Sequence, residues 1–509
     1  MYKKFETTEK GAFLVTFKPV ELGVANSPDA LMKVLHFEKK FLAGMSEEEF
    51  VASGRYHDMR GKFVWQRVTN HHKLTRQKIR ELIPGASIAS SIPISNSFLL
   101  IGTKEDVKKL ENSKLVTEIH TNDSFHINLP VQTEKSHKQA DTGFLGRFAA
   151  MGKKQSAQWN ISKIGATSVW EMSKEKGRGE GVVYAIADTG VSFKHPNIRQ
   201  NYLGLKANGK YDHNKCWYDG VRRAVAIDGP ITCDFASPEP CDDQGHGTHV
   251  TSTAVGADGY GVAPGAKWIA CRNMDRGVGS PETYLNCLNF FLAPHDLDGR
   301  NADPNRRPHV VGNSYGCPDS EGCSKRAMNA AVEALRAAGV FMSVSAGNEG
   351  PGCSTIRDPP AIEQNVVSVG ATDNSDHIAP FSSRGPVVVG GQVYRKPDVS
   401  APGVRILAAY PGDGFRALSG TSMASPHVGG AVALITAMCP CIARDVDKIQ
   451  TLLEQTAVKL TSPQSEGLCG RDTPNTVPNN CFGHGRIDVL KAVRTCVKYC
   501  QMKKQDRLR

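Results

Sequence analysis

The sequence predicts an α/β protein: a parallel sheet between two helical layers, three layers in all, preceded by a smaller α+β unit of ferredoxin-like order. Two patterns carry this prediction. Between Trp159 and Val493, short apolar runs (Val182 to Ala187, Val310-Val311, Val340 to Val344, Val366 to Val369) alternate with helical stretches. Strands covered on both faces read as such runs, which is the mark of parallel sheets flanked by helices. Between Ala12 and His120 the elements run β-α-β-β-α-β, the split ferredoxin-like arrangement.

The first region spans residues 1–128. Ala12 to Phe17 reads as a strand and Leu74 to Leu82 as a helix. Ala86 to Ser95 and Asn96 to Thr103 are two β-rich runs, Lys104 to Glu111 is an amphipathic helix, and Leu115 to His120 is the closing strand. The stretch 21–68 reads as an insertion with no element placed in it. Residues 129–158 are polar and basic without periodicity, which reads as an exposed linker. The third region, 159–493, holds the parallel sheet. Within it Lys325 to Ala338 is a helix that Ser324 can cap and Gly339 can end. Residues 494–509 read as a basic tail.

Lys and Arg number 62 against 51 Asp and Glu, a net charge of +11. Part of the excess sits in short runs such as Met151-Gly-Lys-Lys. No basic face interleaved with aromatics is present, so nucleic acid is not an expected partner. No run approaches the ~20 apolar residues of a spanning helix, so no membrane partner is expected either. All 14 cysteines fall between Cys216 and Cys500. An even number confined to one region points to disulfides, and to a secreted or endomembrane compartment. Against this, the first residues lack the apolar core of a secretory leader and read as a cytosolic start. The sequons Asn122-Asp-Ser and Asn160-Ile-Ser have meaning only in the first case. A monomer is expected.

Three segments carry candidate chemistry. Ala185-Ile-Ala-Asp-Thr-Gly is an apolar strand ending on Asp188, and functional groups gather beyond the C-terminal strand ends of parallel sheets. Alone, it equally reads as a turn with a capping Asp. A second Asp-Thr-Gly, at Asp141, follows a polar run in the linker, unlike the paired strand-borne copies of aspartic proteases. Asp242-Asp-Gln-Gly-His-Gly-Thr-His-Val sets His246 between glycines. His246 and His249 lack the third ligand and the intervening Glu of a helical zinc pair, so no metal is expected. Leu418-Ser-Gly-Thr-Ser-Met-Ala-Ser-Pro-His-Val places Ser422 where a loop enters a helix of small residues, at the positive end of its dipole. In isolation that serine reads as a helix cap, and His427 beyond it as a packing residue. Together the three segments supply a serine nucleophile, a base for its proton and a carboxylate to orient the base.

In that order, and through Tyr184-Ala-Ile-Ala-Asp-Thr-Gly-Val, Gly245-His-Gly-Thr-His-Val and Gly420-Thr-Ser-Met-Ala-Ser-Pro-His-Val, the region from Trp159 to Val493 resembles subtilisin-family serine peptidases, the subtilases. Val262 to Asp275, Phe291 to Leu297 and Cys353 to Ile362 are similar to the bacillopeptidase F branch. The first region resembles subtilase propeptides more weakly.

The resemblance implies a serine endopeptidase acting on polypeptide substrates, with Asp188, His246 and Ser422 as its triad. It implies a zymogen, whose residues 1–128 act as an intramolecular inhibitor and are cut away between Asn128 and Gln158. Asn348, in Ala346-Gly-Asn-Glu-Gly, would donate to the oxyanion together with the Ser422 N–H, and Gly347 would border the substrate. Ser314, Tyr315 and Gly316 would pair with the substrate backbone. Gly316 would open the primary specificity pocket and Arg357 would form its base, favouring acidic side chains unless Arg357 pairs with Asp358 or turns to solvent. No cofactor is required: the loop from Gly256 to Gly261 is too short for the family's high-affinity calcium site, though weaker carbonyl sites stay open. The alternative is a catalytically silent peptide-binding protein on the same fold, against which stands the complete triad. An esterase elbow, Gly-x-Ser-x-Gly, is not matched by Gly420-Thr-Ser-Met-Ala.

Overall fold

The computed structural model describes residues 10–22, 55–121, 125–126, 157–226, 230–318, 323–461 and 468–506. Most of the linker and residues 23–54 of the insertion lie outside them. The first unit contains β1 (Gly11–Phe17), α1 (Arg55–Leu82), β2 (Ser87–Ile92), β3 (Ser97–Gly102), α2 (Lys104–Glu111) and β4 (Val116–Thr121). Its sheet is antiparallel with order β2-β3-β1-β4, as the ferredoxin-like reading expects. A capping box starts α2: Thr103 Oγ1 accepts from Asp106 N, and Asp106 accepts from Thr103 N. The long α1 is the difference. It begins at Arg55, inside the stretch read as an insertion. Its buried stripe, Val64-Val68-His72-Thr75-Ile79, has polar members that a search for apolar periodicity passes over.

A short β5 (Phe125–His126) leads to the larger unit. There the strands are β6 (Val183–Asp188), β7 (Trp217–Asp219), β8 (Lys267–Arg272), β9 (Met274–Asp275), β10 (Val278–Gly279), β11 (Val310–Asn313), β12 (Phe341–Ser345), β13 (Val367–Thr372), β14 (Val387–Val389), β15 (Gln392–Tyr394), β16 (Val399–Pro402), β17 (Ile406–Tyr410) and β18 (Gly414–Leu418). The principal helices are α3 (His246–Val255), α4 (Pro281–Leu292), α5 (Lys325–Ala337), α6 (Thr421–Met438), α7 (Val446–Thr456) and α8 (Val489–Asp506). Seven strands form one sheet of order β16-β13-β12-β11-β6-β8-β7, every neighbouring pair parallel. Helices α3 and α6 cover one face, with α8 behind α6, and α4 and α5 cover the other. Small residues let α6 run buried from Thr421 to Ala437 between the sheet and its neighbours.

Six disulfides brace this unit: Cys233–Cys241, Cys271–Cys287, Cys317–Cys323, Cys353–Cys469, Cys439–Cys496 and Cys441–Cys500. The last two tie the end of α6 to α8. Residues 494–506, read as a tail, are therefore the larger part of a stapled helix.

The first unit docks on the outer side of α4 and α5. The turn Pro93–Ser95 packs on both helices, and Ile94 N donates to Asn289 Oδ1 at 3.2 Å. Leu14, Val64, Val68, Ile92 and Ile94 join the same apolar cluster as the large sheet. Beyond β4, β5 pairs antiparallel with β10, Phe125 opposite Gly279 and His126 opposite Val278.

Candidate active site

Chain topology brings the three predicted segments to one end of the sheet. Strand β6 ends on Asp188, which is fully buried. Its Oδ1 accepts from Thr189 N and from His246 Nδ1, each at 2.8 Å. In register, Asn313 lies opposite Ala187, so Ser314 comes level with Asp188. Ser314 and Ser422 then exchange hydrogen bonds: Ser314 Oγ donates to Ser422 O at 3.0 Å, and Ser422 Oγ donates to Ser314 O at 3.2 Å. Helix α3, starting at His246, packs along α6, whose second residue is Ser422. His246 Nε2 is buried and has no hydrogen-bond partner. Burial opposes a charge on this imidazole, but the Asp188 carboxylate, with Asp242 farther off, outweighs it and raises the His246 pKa above the ordinary value.

A single carboxylate shapes the His246 turn. Asp242 Oδ1 accepts from Thr189 Oγ1 at 2.8 Å, Gln244 N at 3.1 Å and Gly245 N at 2.7 Å. Its Oδ2 accepts from Thr248 N at 2.9 Å and Thr248 Oγ1 at 2.5 Å. The two loops approach so closely that a Cβ on Gly247 would collide with the Gly190 carbonyl, which makes a glycine necessary there. Behind the turn, the fully buried Arg272 clamps Asp219 through two bonds of 3.0 Å and Asp243 through one of 3.1 Å. Tyr410 Oη donates to Gln244 O at 2.7 Å. Sequence reasoning passed over Asp242, Arg272 and Tyr410. The acidic doublet Asp242-Asp243 ahead of His246 was the one local signal.

Both other histidines near the site are structural. His249 Nε2 lies 3.1 and 2.9 Å from the carbonyls of Ile406 and Arg416, so it carries the proton and fastens the β17–β18 hairpin. Burial lowers its pKa to about 3. His427 is a packing residue: Nδ1 donates to Met423 O at 2.8 Å, and Nε2 accepts from Asn160 Nδ2 at 2.8 Å. Burial lowers its pKa to about 4. Asn160 is itself fully buried, which closes that sequon to glycosylation in the folded chain; Asn122 lies outside the described residues.

The predicted oxyanion donors stand at the start of α6. Asn348 Oδ1 accepts from Thr421 N at 2.9 Å and Thr421 Oγ1 at 3.0 Å, which leaves Nδ2 as the group available to a ligand. Ser422 N belongs to the first helical turn, where amides have no intrahelical acceptor. Gly347 has φ +107°, and a Cβ there would crowd Glu349 and Ser383. Its N–H donates to Thr421 Oγ1 at 3.2 Å.

Tyr315 is buried with its ring stacked 4.6 Å from Tyr284, which leaves its backbone as the group available for the expected pairing. One expected substrate contact needs correction. Arg357 does not form the base of the pocket that Gly316 opens. Cys317 N donates to Pro359 O at 2.8 Å, which sets Asp358 against Gly316 and turns Arg357 outward. A Cβ on Gly316 would lie 3.3 Å from Asp358 Cβ and 3.7 Å from its Oδ2. Arg357 is exposed, donates from Nε to Ser354 O at 3.1 Å, and lines a different cleft.

Comparison with known proteins points to one family. The subtilase family model matches residues 179–485. Bacillopeptidase F of Bacillus subtilis (strain 168) is 32% identical over 417 residues, 79% of this chain and 26% of its own length. Subtilisin-like serine protease Pen ch 13 of Penicillium rubens is 33% identical over 289 residues, 56% of this chain and 60% of its own. Subtilisin Savinase of Lederbergia lenta is 29% identical over 345 residues, 67% of this chain and 100% of its own. The chain thus spans less than two thirds of the length of the first two relatives. With the family match covering more than half of its residues, the chain belongs to the subtilase family.

Proposed function

We propose that this chain is a serine endopeptidase made as a zymogen. The observation that carries the reading is the 2.8 Å bond from His246 Nδ1 to Asp188, with Nε2 of the same ring buried and unpartnered. Asp188 holds the tautomer whose Nε2 accepts a proton. A turn of the Ser422 side chain moves its hydroxyl from the Ser314 carbonyl to that nitrogen. Ser422 Oγ then attacks the scissile carbonyl while His246 takes the proton. Asn348 Nδ2 and Ser422 N donate to the oxyanion. His246 returns the proton to the leaving amine, and water releases the acyl group by the same steps in reverse. No step calls on a metal or cofactor.

Polypeptides are the substrates, bound as an added strand along Ser314 to Gly316 and β10. The pairing of β5 with β10 supports the first unit as inhibitor, because it lays the chain's own backbone where such a strand would lie. Cleavage between Asn128 and Gln158 would free it, leaving a monomer. The six disulfides favour an oxidising compartment.

Labelling with a fluorophosphonate probe tests the nucleophile. Purified protein should label, and Ser422→Ala should not. Failure of the wild-type chain to label after removal of the first unit would instead support a silent peptide-binding protein. N-terminal sequencing tests the zymogen: intact Met1 on fully active enzyme defeats it.

A further inference from the structure

A cleft of about 620 Å³ opens between the first turn of α5 and the β14–β15 hairpin, and none of Asp188, His246, Ser422 or Asn348 lines it. Its rim carries Lys325, Arg326 and Arg357, and its walls include Ile362, Val388 and Tyr394. Val388 is 63% exposed and pairs across the hairpin with Val393, 68% exposed. Cations gathered in one concavity attract a carboxylate at long range, and an exposed apolar pair beside them rewards a ligand that also brings apolar side chains.

A carboxylate already sits at one edge. Glu118 of β4 accepts a hydrogen bond from Ser324, the residue capping α5, and lies 3.6 Å from Arg326 Nε. Burial pushes the Glu118 pKa up, but hydrogen bonds from His120 and Ser324 outweigh it and hold the group below the ordinary carboxylate value. Loss of the first unit would take Glu118 away and leave Ser324 and Arg326 to another acid. Glu363 is the acidic side chain in the cleft lining. It is 6% exposed, and burial raises its pKa to about 7, so below neutrality it opposes an anionic ligand little.

We propose that this cleft is an auxiliary site for acidic segments of polypeptide substrates, with Arg326 and Arg357 reading the charge. The inference rests on the endopeptidase reading for the word substrate. It names a class that reading leaves open: polypeptides with an acidic, partly apolar stretch outside the bond that is cut.

Fluorescence anisotropy on the full-length Ser422→Ala chain carrying Glu118→Gln tests it: β5 lies along β10 there, so the cleft is read separately from the catalytic groups, and the resident carboxylate no longer holds Arg326. The probes are a dye-labelled peptide of alternating Glu and Val and its Gln-for-Glu counterpart. The Glu peptide should bind at least about tenfold more tightly. Arg326→Glu with Arg357→Glu should remove that preference while the melting temperature stays put. A salt increase from about 50 to about 300 mM should weaken binding severalfold. Equal binding of the two peptides, or binding that survives charge reversal, overturns the proposal. So does tighter binding to phosphatidylserine vesicles than to the Glu peptide, which would assign the cleft to a lipid surface. Arg326→Gln with Arg357→Gln, a milder change, should give an intermediate loss. The assay needs no turnover, so a chain without peptidase activity would sink the proposed function and leave this result readable.

Discussion

Glu118 and Arg60, both from the first unit, hold opposite ends of one helix of the larger unit. Glu118 accepts from Ser324 at the start of α5, and Arg60 donates to the carbonyls of Ala337 and, at 3.1 Å, Arg336 at its end. The peptide dipoles of a helix leave its first turn positive and its last turn negative, so each charge meets its complement. Arg307 adds a third contact, with Nε donating to Ala338 O at 2.7 Å. Glu118→Gln should therefore lower the stability of the full-length Ser422→Ala chain by about 0.5–1 kcal/mol. Arg60→Met should cost more, because it strips donors from buried carbonyls. Urea unfolding reads both. In the active background, the same substitutions should shorten the lag before activity appears. Unchanged unfolding and lag would mean that the apolar contact alone holds the first unit.

The acid limb of kcat/KM should report His246. The base must be neutral to act, and its pKa is raised, chiefly against burial and by Asp188. Activity should fall as pH drops through a value above about 6.5, the unperturbed imidazole value. Asp188→Asn should cut kcat by about 10⁴ and move the remaining acid limb to lower pH. A limb that stays in place would mean that another group titrates.

Removal of the Asn348 donor should slow chemistry without weakening substrate binding. Asn348→Ala should lower kcat by about 100- to 1,000-fold with KM nearly unchanged, a magnitude taken from subtilisin itself. Thr421→Val loses the hydroxyl 3.0 Å from Asn348 Oδ1 but keeps the Thr421 N–H bond. Its loss in kcat should be about tenfold, as expected of a positioning residue.

Substrate preference next to the cut bond should follow Asp358 and not Arg357. A peptide library cleaved by Arg357→Ala should match the wild-type pattern at that position. Asp358→Ala should shift it away from basic side chains, since the carboxylate stands against Gly316. A reversed result would return Arg357 to the base of the pocket.

Acid should weaken the folded chain through its buried imidazoles. His249 and His427 have pKa values lowered to about 3 and about 4, whereas an unfolded histidine takes its proton near about 6.5. Between those values the unfolded chain binds more protons. Stability is therefore full above about pH 6.5 and is lost as pH falls toward about 4. His249→Gln, whose amide can still donate to a carbonyl, should narrow the difference between thermal melts at about pH 7.5 and about pH 4.5 in the Ser422→Ala background.

Residue identities at the site were legible because local backbone demands are written locally. Asp188, His246, Ser422 and Asn348 each sit among glycines and small residues that a tight turn or a crowded helix start requires. The strand runs and the cap at Ser324 are likewise local, so the sequence by itself determined the layered architecture and the chemical groups at its strand ends. The start of α1 was not legible, because His72 and Thr75 interrupt its apolar stripe. The outward turn of Arg357 was one of two readings the sequence left open, and the choice depends on the pairing of Cys317 with Pro359. The meetings of Glu118 with Ser324, and of Arg272 with Asp219 and Asp243, join residues far apart in the chain. Such contacts leave no spacing to read, since they arise from how the layers pack, and only the tertiary structure decided them.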